Sequence, residues 1–477
     1  MYRKASKEQI LIEDFTLQFG GKLNADNRWV RLSEILPWDM IEDKYAENFK
    51  SEYGNVALNV RVALGSLIIK EKCHFSDEET LEQISENAYM QYFLGFKEFK
   101  NEIPFNPSLM VAFRKRLSFV DINELMLEIG KNENENENDE DNENKPNNGK
   151  LILDATCTPA DIHYPTDLRI LNECREDLEE IVDCLYEQVK DKYVKKPRTY
   201  RKRARNDFLK VEKQRKSKVK TIQKAIRKQL GYVGRDLKIV DDLVKKGATL
   251  SLLSKRKYRN LLVVHEVFRQ QSEMFKCRKN SIDNRIVSIS QPHVRPIVRG
   301  KASAKTEFGA KISVRIVNGY AYIENLEWEN YNEGTRLKES IERYKKQFGF
   351  YPEAVLADKI YRNRDNLDYC KEKGIRLSGP MLGRPRKKAE GQDKKIQKQD
   401  ESERNLIEST FGVGKRRFGL GRIMAKLKCT SETVIALQFL VMNLEHKLRV
   451  LFAQILKGTK NQIYIILLFV NFENCYC

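Results

Sequence analysis

The chain has 477 residues, 41% of them hydrophobic and 32% charged, so two or three domains with well-packed cores are expected. Lys and Arg number 87 against 68 Asp and Glu, and the formal net charge of +19 favours a polyanionic partner: DNA, RNA or an anionic membrane. No run of eighteen apolar residues is present, which excludes a spanning helix, and nine scattered cysteines without paired CxxC motifs favour reduced thiols in a cytosol.

Residues 25–130 have the pattern of a compact all-helical domain. The segment 58–70 carries apolar residues at helical spacing, and Ser76 with Glu79 forms a capping-box pattern at the start of the next helix. The segment 107–130 predicts one or two further helices.

An acidic, low-complexity linker is predicted at 131–150. Its sequence, NENENENDEDNENKPNNG, contains almost no apolar side chain, so we interpret it as a disordered domain boundary. A second domain follows over 151–455. Residues 456–477 form a C-terminal tail, whose apolar run at 463–472 predicts a buried strand or a helix end.

The second domain mixes strand and helix patterns, which indicates an α/β fold. Two short apolar runs, LILDAT and AVLADK, each end on a carboxylate, and Asn318-Gly319 is a hairpin signal between two strand-like runs. The sequence also predicts a strand at 375–380 and helices at 403–412 and 432–452.

An insertion at 168–280 is predicted to be mostly helical and is strongly basic in its middle. Residues 195–228 contain sixteen Lys or Arg and two acidic residues. Such a stretch is suited to neutralising DNA phosphates. The candidate DNA-binding residues in it are Arg201, Lys202, Arg203 and Arg205. The alternative is a solvated basic helix with no dedicated partner.

Two aspartates are the first candidates for catalysis. Asp154 closes the first apolar run and Asp358 closes the second. Each one alone is more simply explained as a strand cap or the start of a turn. Two carboxylates at the ends of neighbouring strands can, however, share divalent cations, because Mg²⁺ prefers oxygen ligands. Two such ions activate a water and stabilise a leaving oxygen in phosphodiester chemistry.

A third group lies on a predicted helix. Arg404 and Glu408 are four residues apart and share one helical face, on which Lys415 also falls if the helix continues. A carboxylate between two cations suits a metal site that also grips phosphates. Taken without the two aspartates, the same residues are a solvated helix face with one ion pair.

These residues resemble the DDE transposases of bacterial insertion sequences, in the group that includes the IS-four and IS-five types. The likeness is carried by LILDATCTPADIHYPTD (151–167), VLADKIYRNRDN (355–366) and RNLIESTFGVGKRRFGLGRI (404–423). The last segment contains the Arg-x3-Glu-x6-Lys part of that group's Tyr-x2-Arg-x3-Glu-x6-Lys signature. The module at 25–130 is similar to the group's N-terminal domain, so the resemblance covers most of the chain.

The resemblance implies an RNase H-like fold, a mixed sheet flanked by helices. Asp154, Asp358 and Glu408 would be the catalytic residues and would hold two Mg²⁺ or Mn²⁺ ions, while Arg404 and Lys415 would contact phosphates or the DNA end. The implied reaction is hydrolysis at the transposon's 3′ ends, followed by attack of the freed 3′-hydroxyl on target DNA.

The resemblance also implies the partners. These are double-stranded DNA, as terminal inverted repeats and target, and a second copy of the chain in a homodimer on DNA. The N-terminal domain would recognise the ends or mediate dimerisation. The protein is expected in the bacterial cytoplasm, at the nucleoid and not at a membrane.

The sequence departs from the signature at one position, where Glu401 stands in place of the Tyr. The role of that Tyr is either missing or filled by another residue such as Tyr361. Glu408 is preferred to Glu401 and Glu403 as the third acid because of its spacing and because its apolar neighbours predict a half-buried position.

Two other functions stay open: a non-catalytic DNA-binding protein derived from a transposase, and a structure-specific nuclease on the same fold.

Overall fold

The computed structural model describes residues 1–4, 10–17, 20–49, 53–134, 147–298, 306–379 and 391–473. Most of the predicted acidic linker and the last four residues of the predicted tail lie outside these ranges. None of the helices within them is long and apolar enough to cross a membrane.

Helices alone make up the regular structure before the sheet in the described part of the chain. They are α1 (Arg28–Ile35), α2 (Trp38–Ala46), α3 (Val60–Cys73), α4 (Asp77–Glu86), α5 (Ala88–Phe93), α6 (Leu109–Arg116) and α7 (Phe119–Asn134), with a short 3₁₀ turn (Ile12–Asp14) ahead of them. The predicted capping box is present at α4: the Ser76 hydroxyl accepts from the Glu79 amide at 3.0 Å, and the Glu79 carboxylate accepts from the Ser76 amide at 3.4 Å. The segment 107–130 forms two helices, separated by an extended Leu117.

A mixed sheet follows, and it confirms the predicted α/β architecture. Its strands are β1 (Lys150–Pro159), β2 (Arg295–Val298), β3 (Thr306–Val317), β4 (Tyr320–Glu327), β5 (Ala354–Ala357) and β6 (Arg376–Leu377). The strand order is β2-β3-β1-β5-β6, and β4 also pairs with β3. The central strand β1 runs antiparallel to β3 and parallel to β5.

Helices α8 to α11 lie between β1 and β2 and correspond to the predicted insertion. They are α8 (Asp167–Val189), α9 (Arg201–Glu212), α10 (Val219–Lys245) and α11 (Lys255–Cys277). Leu178, Val233 and Val264, from three of these helices, belong to an apolar cluster separate from the main core. The insertion therefore buries its own apolar faces. The basic residues Arg201, Lys202, Arg203 and Arg205 of α9 lie exposed on its surface.

The remaining helices surround the sheet. They are α12 (Leu337–Phe348), α13 (Arg364–Glu372), α14 (Gly391–Arg417) and α15 (Lys428–Glu473). The apolar run at 463–472 lies within α15, so of the two predicted alternatives the helical one is right.

The predicted hairpin joins β3 and β4. Its loop residues Asn318 and Gly319 have φ of 51° and 82°, and a type I′ turn requires this left-handed region at both positions. Gly319 also lies against α15, since a Cβ built on it would be 2.5 Å from the ring of His446. Glycine is therefore needed there for both conformation and space.

Helix α15 joins the N-terminal helices to the sheet. The Asn443 side chain bonds both backbone groups of Ala321 in β4, at 2.9 and 2.8 Å, and the Thr433 hydroxyl donates to the carbonyl of Leu117 at 2.9 Å. One buried apolar cluster includes residues from the N-terminal helices, the sheet and α15. The helices predicted as a separate domain at 25–130 are thus packed on the same core as the sheet.

Candidate active site

Asp154 and Asp358 occupy equivalent positions on adjacent parallel strands. The pairing of β1 with β5 runs from Lys150 opposite Ala354 to Leu153 opposite Ala357. The two aspartates are the next residues on each strand. Because parallel neighbours lie about 4.8 Å apart, this register brings the two carboxylates to one edge of the sheet.

The strand carrying Asp154 is longer than predicted, which corrects the expectation that Asp154 closes it. β1 continues to Pro159, because its antiparallel pairing with β3 extends through Pro159 opposite Gly309. Only the pairing with β5 stops at Leu153. Asp154 is therefore held in the middle of a strand whose neighbour on one side has ended.

Local hydrogen bonds orient both carboxylates. The Ala155 amide donates to Asp154 Oδ1 at 2.7 Å. Asp358 caps a short 3₁₀ turn, Lys359–Tyr361, and its Oδ1 accepts from the Lys359 amide at 2.7 Å. The side chain of Asp358 is about half exposed, at 54%, so this carboxylate faces solvent while Asp154 is largely covered.

Burial raises the pKa of Asp154 to about 6. The amide of Ala155 opposes the shift, and the negative charges of Glu333 and Asp358 add to it. Arg404 lowers the same pKa by its positive charge. Asp154 thus lies in a negative environment that a cation would relieve.

Helix α14 supplies the third acid and the cations. It is longer than the predicted 403–412 and continues past Lys415, so Arg404, Glu408 and Lys415 lie on one helix. Ile407 is fully buried and Phe411 nearly so, and these side chains anchor the helix on the core. Glu408 follows Ile407 on the outward side and is 57% exposed, rather than half-buried as predicted.

Arg404 bridges two of the three predicted catalytic carboxylates. Its Nη1 lies 3.6 Å from Asp358 Oδ1, and its Nη2 lies 3.4 Å from Glu408 Oε1. The guanidinium therefore stands between the acid on β5 and the acid on α14. Both contacts are longer than a strong ion pair, so the arginine can leave for a phosphate at modest cost.

The neighbouring acids of α14 have other positions. Glu403 accepts two hydrogen bonds from Lys150 Nζ, both at 2.7 Å, and this pairing lowers the pKa of Glu403. Asp400 is buried and pairs with Arg376, whereas Glu401 is exposed. Glu403 and Asp400 thus fasten α14 to β1 and β6.

Tyr361, the predicted alternative to the missing signature Tyr, is buried. Its side chain is 3% exposed, and burial raises the pKa of its hydroxyl far above the usual value. The phenol lies near Ser313, Asp154 and Glu333, whose hydrogen bond or charges act on it. Tyr361 therefore packs beneath the aspartates rather than facing solvent.

The donor set of Asp154 and Asp358 suits a hard divalent cation. Within the described ranges, no three His, Cys, Asp or Glu residues lie close enough to hold an ion. Asp154 and Asp358 nevertheless offer adjacent carboxylate oxygens, the ligand type that Mg²⁺ and Mn²⁺ prefer. Glu408 is separated from Asp358 by Arg404.

The basic insertion exposes all four predicted DNA-binding residues. Lys202, Arg203 and Arg205 on α9 are exposed. Arg201 differs, because its Nη2 pairs with Asp183 at 2.6 Å and donates to the carbonyl of Glu179 at 2.9 Å. Arg201 therefore connects α9 to α8 while its side chain stays 43% exposed, and its role as a DNA contact stays a prediction.

Glu333 is an acid that sequence reasoning missed. It begins a short 3₁₀ turn, Glu333–Arg336, and its carboxylate pairs with Lys311 at 2.7 Å. Its charge acts on Asp154, as described above. No motif or spacing marks Glu333, because its place depends on contacts between β3, this turn and the turn after Asp358.

The fold and the site define a mixed α/β protein with an acidic site at one sheet edge and a basic helical insertion. A family model described as a transposase DDE domain matches residues 355–445, which include Asp358, Arg404, Glu408 and Lys415 but not Asp154. A second model, a transposase domain (DUF772), matches residues 17–116.

A curated relative is also found. An uncharacterised protein of Rhizobium meliloti, ORF8 in the nfe locus, is 29% identical over 148 residues, which are 31% of this chain and 69% of the relative. No solved structure matches the chain significantly. The family matches confirm the predicted resemblance to the DDE transposases of insertion sequences, without distinguishing among their subgroups.

Proposed function

We propose that this protein is a DNA transposase that hydrolyses the 3′ ends of its element and transfers the freed 3′-hydroxyls into target DNA. The observation that carries the proposal is the equivalent placement of Asp154 and Asp358 on β1 and β5. The packing of α14 beside them, with Arg404 between Asp358 and Glu408, supports it. The mixed sheet and its helices are in keeping with an RNase H-like core.

In this proposal Asp154, Asp358 and Glu408 would hold two Mg²⁺ or Mn²⁺ ions. When bound, such ions supply an activated water or hydroxyl and stabilisation of the leaving oxygen. The chain contributes the rigid placement of two carboxylates by β1 and β5, and a third on a helix anchored by Ile407. The half-exposed Asp358 leaves the site open to a DNA strand.

Arg404 and Lys415 are proposed to bind the phosphates of the element's end. Arg404 is 27% exposed and already lies beside two carboxylates, so it can turn from them to a phosphate oxygen. Lys415 lies about three turns beyond Arg404 on the same helix. The two cations would align one DNA strand along α14.

The exposed residues Lys202, Arg203 and Arg205 of the insertion are proposed to contact the DNA backbone. The helices at 25–130 are proposed to recognise the terminal repeats or to join two copies of the chain. Their match to a transposase domain supports a role in transposition. A homodimer on DNA would then pair the two ends of the element.

The test is a cleavage and joining assay with the full chain on a labelled duplex carrying the terminal repeat that flanks this gene. Wild type is compared in Mg²⁺ with Asp154→Ala, Asp358→Ala and Glu408→Ala. The control is Glu339→Ala, because Glu339 is an exposed helical acid that pairs with an arginine four residues away, as Glu408 does.

We expect wild type and the control to cut and join. The three site variants should still bind the duplex but lose at least about a hundredfold in cleavage. Cleavage without joining by wild type would instead establish a structure-specific nuclease. Binding without any cleavage in Mg²⁺ or Mn²⁺ would establish a non-catalytic DNA-binding protein.

A further inference from the structure

The turn that carries Glu333 is fastened to the turn that follows Asp358. The buried Asn366 side chain donates to the carbonyl of Gly334 at 2.7 Å and to that of Tyr361 at 2.8 Å. Gly334 lies so close to the neighbouring turn that a Cβ built on it would be 2.4 Å from the carbonyl oxygen of Ile360. The turn of Glu333 is thereby held against the turn that follows Asp358 by contacts that tolerate little movement.

The carboxylate of Glu333 is largely withdrawn from solvent. Its side chain is 15% exposed and that of its partner Lys311 is 12% exposed. Lys311 also donates to the carbonyl of Tyr331 at 2.7 Å and lies 4.7 Å from the centre of its ring. An ion pair covered in this way is poorly screened, so each of its charges acts over a longer range than a surface charge.

The turn of Glu333 lies against the turn that follows Asp358, and the negative charge of Glu333 acts on Asp154. It also acts on the buried Tyr361, together with Asp154. Glu333, Tyr361 and Asp154 therefore form one electrostatically connected group under the sheet edge.

We propose that Glu333 is a fourth acid of this site, a positioning residue that strengthens divalent-cation binding by Asp154 and Asp358 and whose effect Lys311 opposes. The inference rests on the proposed metal-dependent function. Glu333 does not need to touch the ion, because a covered carboxylate near two ligands increases the attraction for a cation through its field.

The Lys311–Glu333 ion pair allows a structural role of Glu333 to be distinguished from an electrostatic one, because the two roles predict different changes in metal affinity when either partner is replaced. Glu333→Gln and Lys311→Met both break the pair and keep the size of the side chain. If the pair only supports the fold, both changes should alter metal binding in the same direction. If charge is what matters, removing the acid should weaken binding and removing the lysine should strengthen it.

The measurement is Mn²⁺ binding to the full chain without DNA, followed by electron paramagnetic resonance. Glu333→Gln should weaken binding by roughly tenfold, and Lys311→Met should tighten it by about two- to fivefold. Glu333→Asp should recover part of the loss. Glu339→Gln, an exposed acid on α12, should match wild type, and thermal unfolding should show every variant folded.

The outcomes separate this inference from the proposed function. Weaker binding in Asp154→Asn but unchanged binding in Glu333→Gln would overturn the role of Glu333 alone. Equal changes of the same sign in Glu333→Gln and Lys311→Met would also overturn it. Absence of Mn²⁺ binding in wild type would overturn the metal-dependent function, and the inference with it.

Discussion

Asp154 and Asp358 stand side by side although 203 residues separate them along the chain, because β1 and β5 pair in parallel up to the residue before each. Asp154 lies within β1, which stays paired with β3 beyond this residue, whereas Asp358 begins a turn. One carboxylate is thus covered and the other half exposed. This asymmetry underlies the first prediction.

Replacing Asp154 by Asn should stabilise the metal-free protein while abolishing cleavage. Burial and the charges of Glu333 and Asp358 make an ionised carboxylate unfavourable at this position. We expect Asp154→Asn to gain about 1 kcal/mol at pH 8, measured by urea unfolding in a chelator. Asp358→Asn, at a more exposed position, should gain less. A destabilised Asp154→Asn would contradict the electrostatic account.

Arg404 should hinder metal binding and assist DNA cleavage. Its guanidinium lies between Asp358 and Glu408, where it neutralises both carboxylates. Arg404→Gln should therefore tighten Mn²⁺ binding in the absence of DNA and reduce strand cleavage by about a hundredfold. Arg449→Gln, on α15, is the control. Weaker Mn²⁺ binding in Arg404→Gln would show that the arginine supports the carboxylates instead.

The stability of the insertion should fall as the pH rises from 4 to 7 because of Asp236. This residue of α10 is fully buried, and burial raises its pKa to about 7, with the charge of Glu179 adding to the shift. The folded state therefore holds a proton that the unfolded state, with a pKa near 3.9, releases. The stabilisation is complete below about pH 4 and is lost as the pH rises through about 7.

Asp236→Asn should remove that dependence and be more stable than wild type at pH 8, by on the order of 3 kcal/mol. The measurement is urea unfolding at pH 5 and pH 8. Asp241→Asn, on the exposed side of the same helix, should behave as wild type. If the free energy of unfolding changed equally between pH 5 and pH 8 in wild type and Asp236→Asn, Asp236 would not be the source of the pH dependence.

The exposed cations of α9 should set much of the salt dependence of DNA binding. Replacing Lys202, Arg203 and Arg205 together by Ala should weaken binding and lower the slope of log K against log salt by roughly 2 to 3. Binding is measured by fluorescence anisotropy from 50 to 300 mM salt. The matched control replaces the exposed Lys338, Lys345 and Lys346 of α12. Equal losses in both variants would show a general charge effect rather than an interface.

Local patterns predicted much of the fold because the elements concerned are decided by nearby residues. The capping box at Ser76 and the Asn318-Gly319 turn are set within four residues, and both are present. The mixed order of strands and helices was also evident, because each element carries its own apolar pattern. The two acidic residues Asp154 and Asp358 were found because each follows a short apolar run.

Burial, ion pairing and strand length at several positions depend on contacts between residues far apart in the sequence, so local patterns did not predict them. Lys150 holds Glu403 across 253 positions, which explains why Glu403 is covered and Glu408 is not. Arg201 belongs to a basic run, yet Asp183 of another helix binds it. The length of β1 depends on β3, and the position of Glu333 depends on Asn366.

The sequence by itself determined the kind of protein, the order of its elements and the residue types that its site uses, because composition, periodicity and motif spacing are properties of the chain alone. Only the tertiary structure decided which charges meet. Pairing and burial set the distance between groups far apart in sequence, and electrostatic energy depends on that distance and on the surrounding solvent. The pair of Asp154 and Asp358, with Arg404 beside Asp358, exists only once the sheet and α14 have come together.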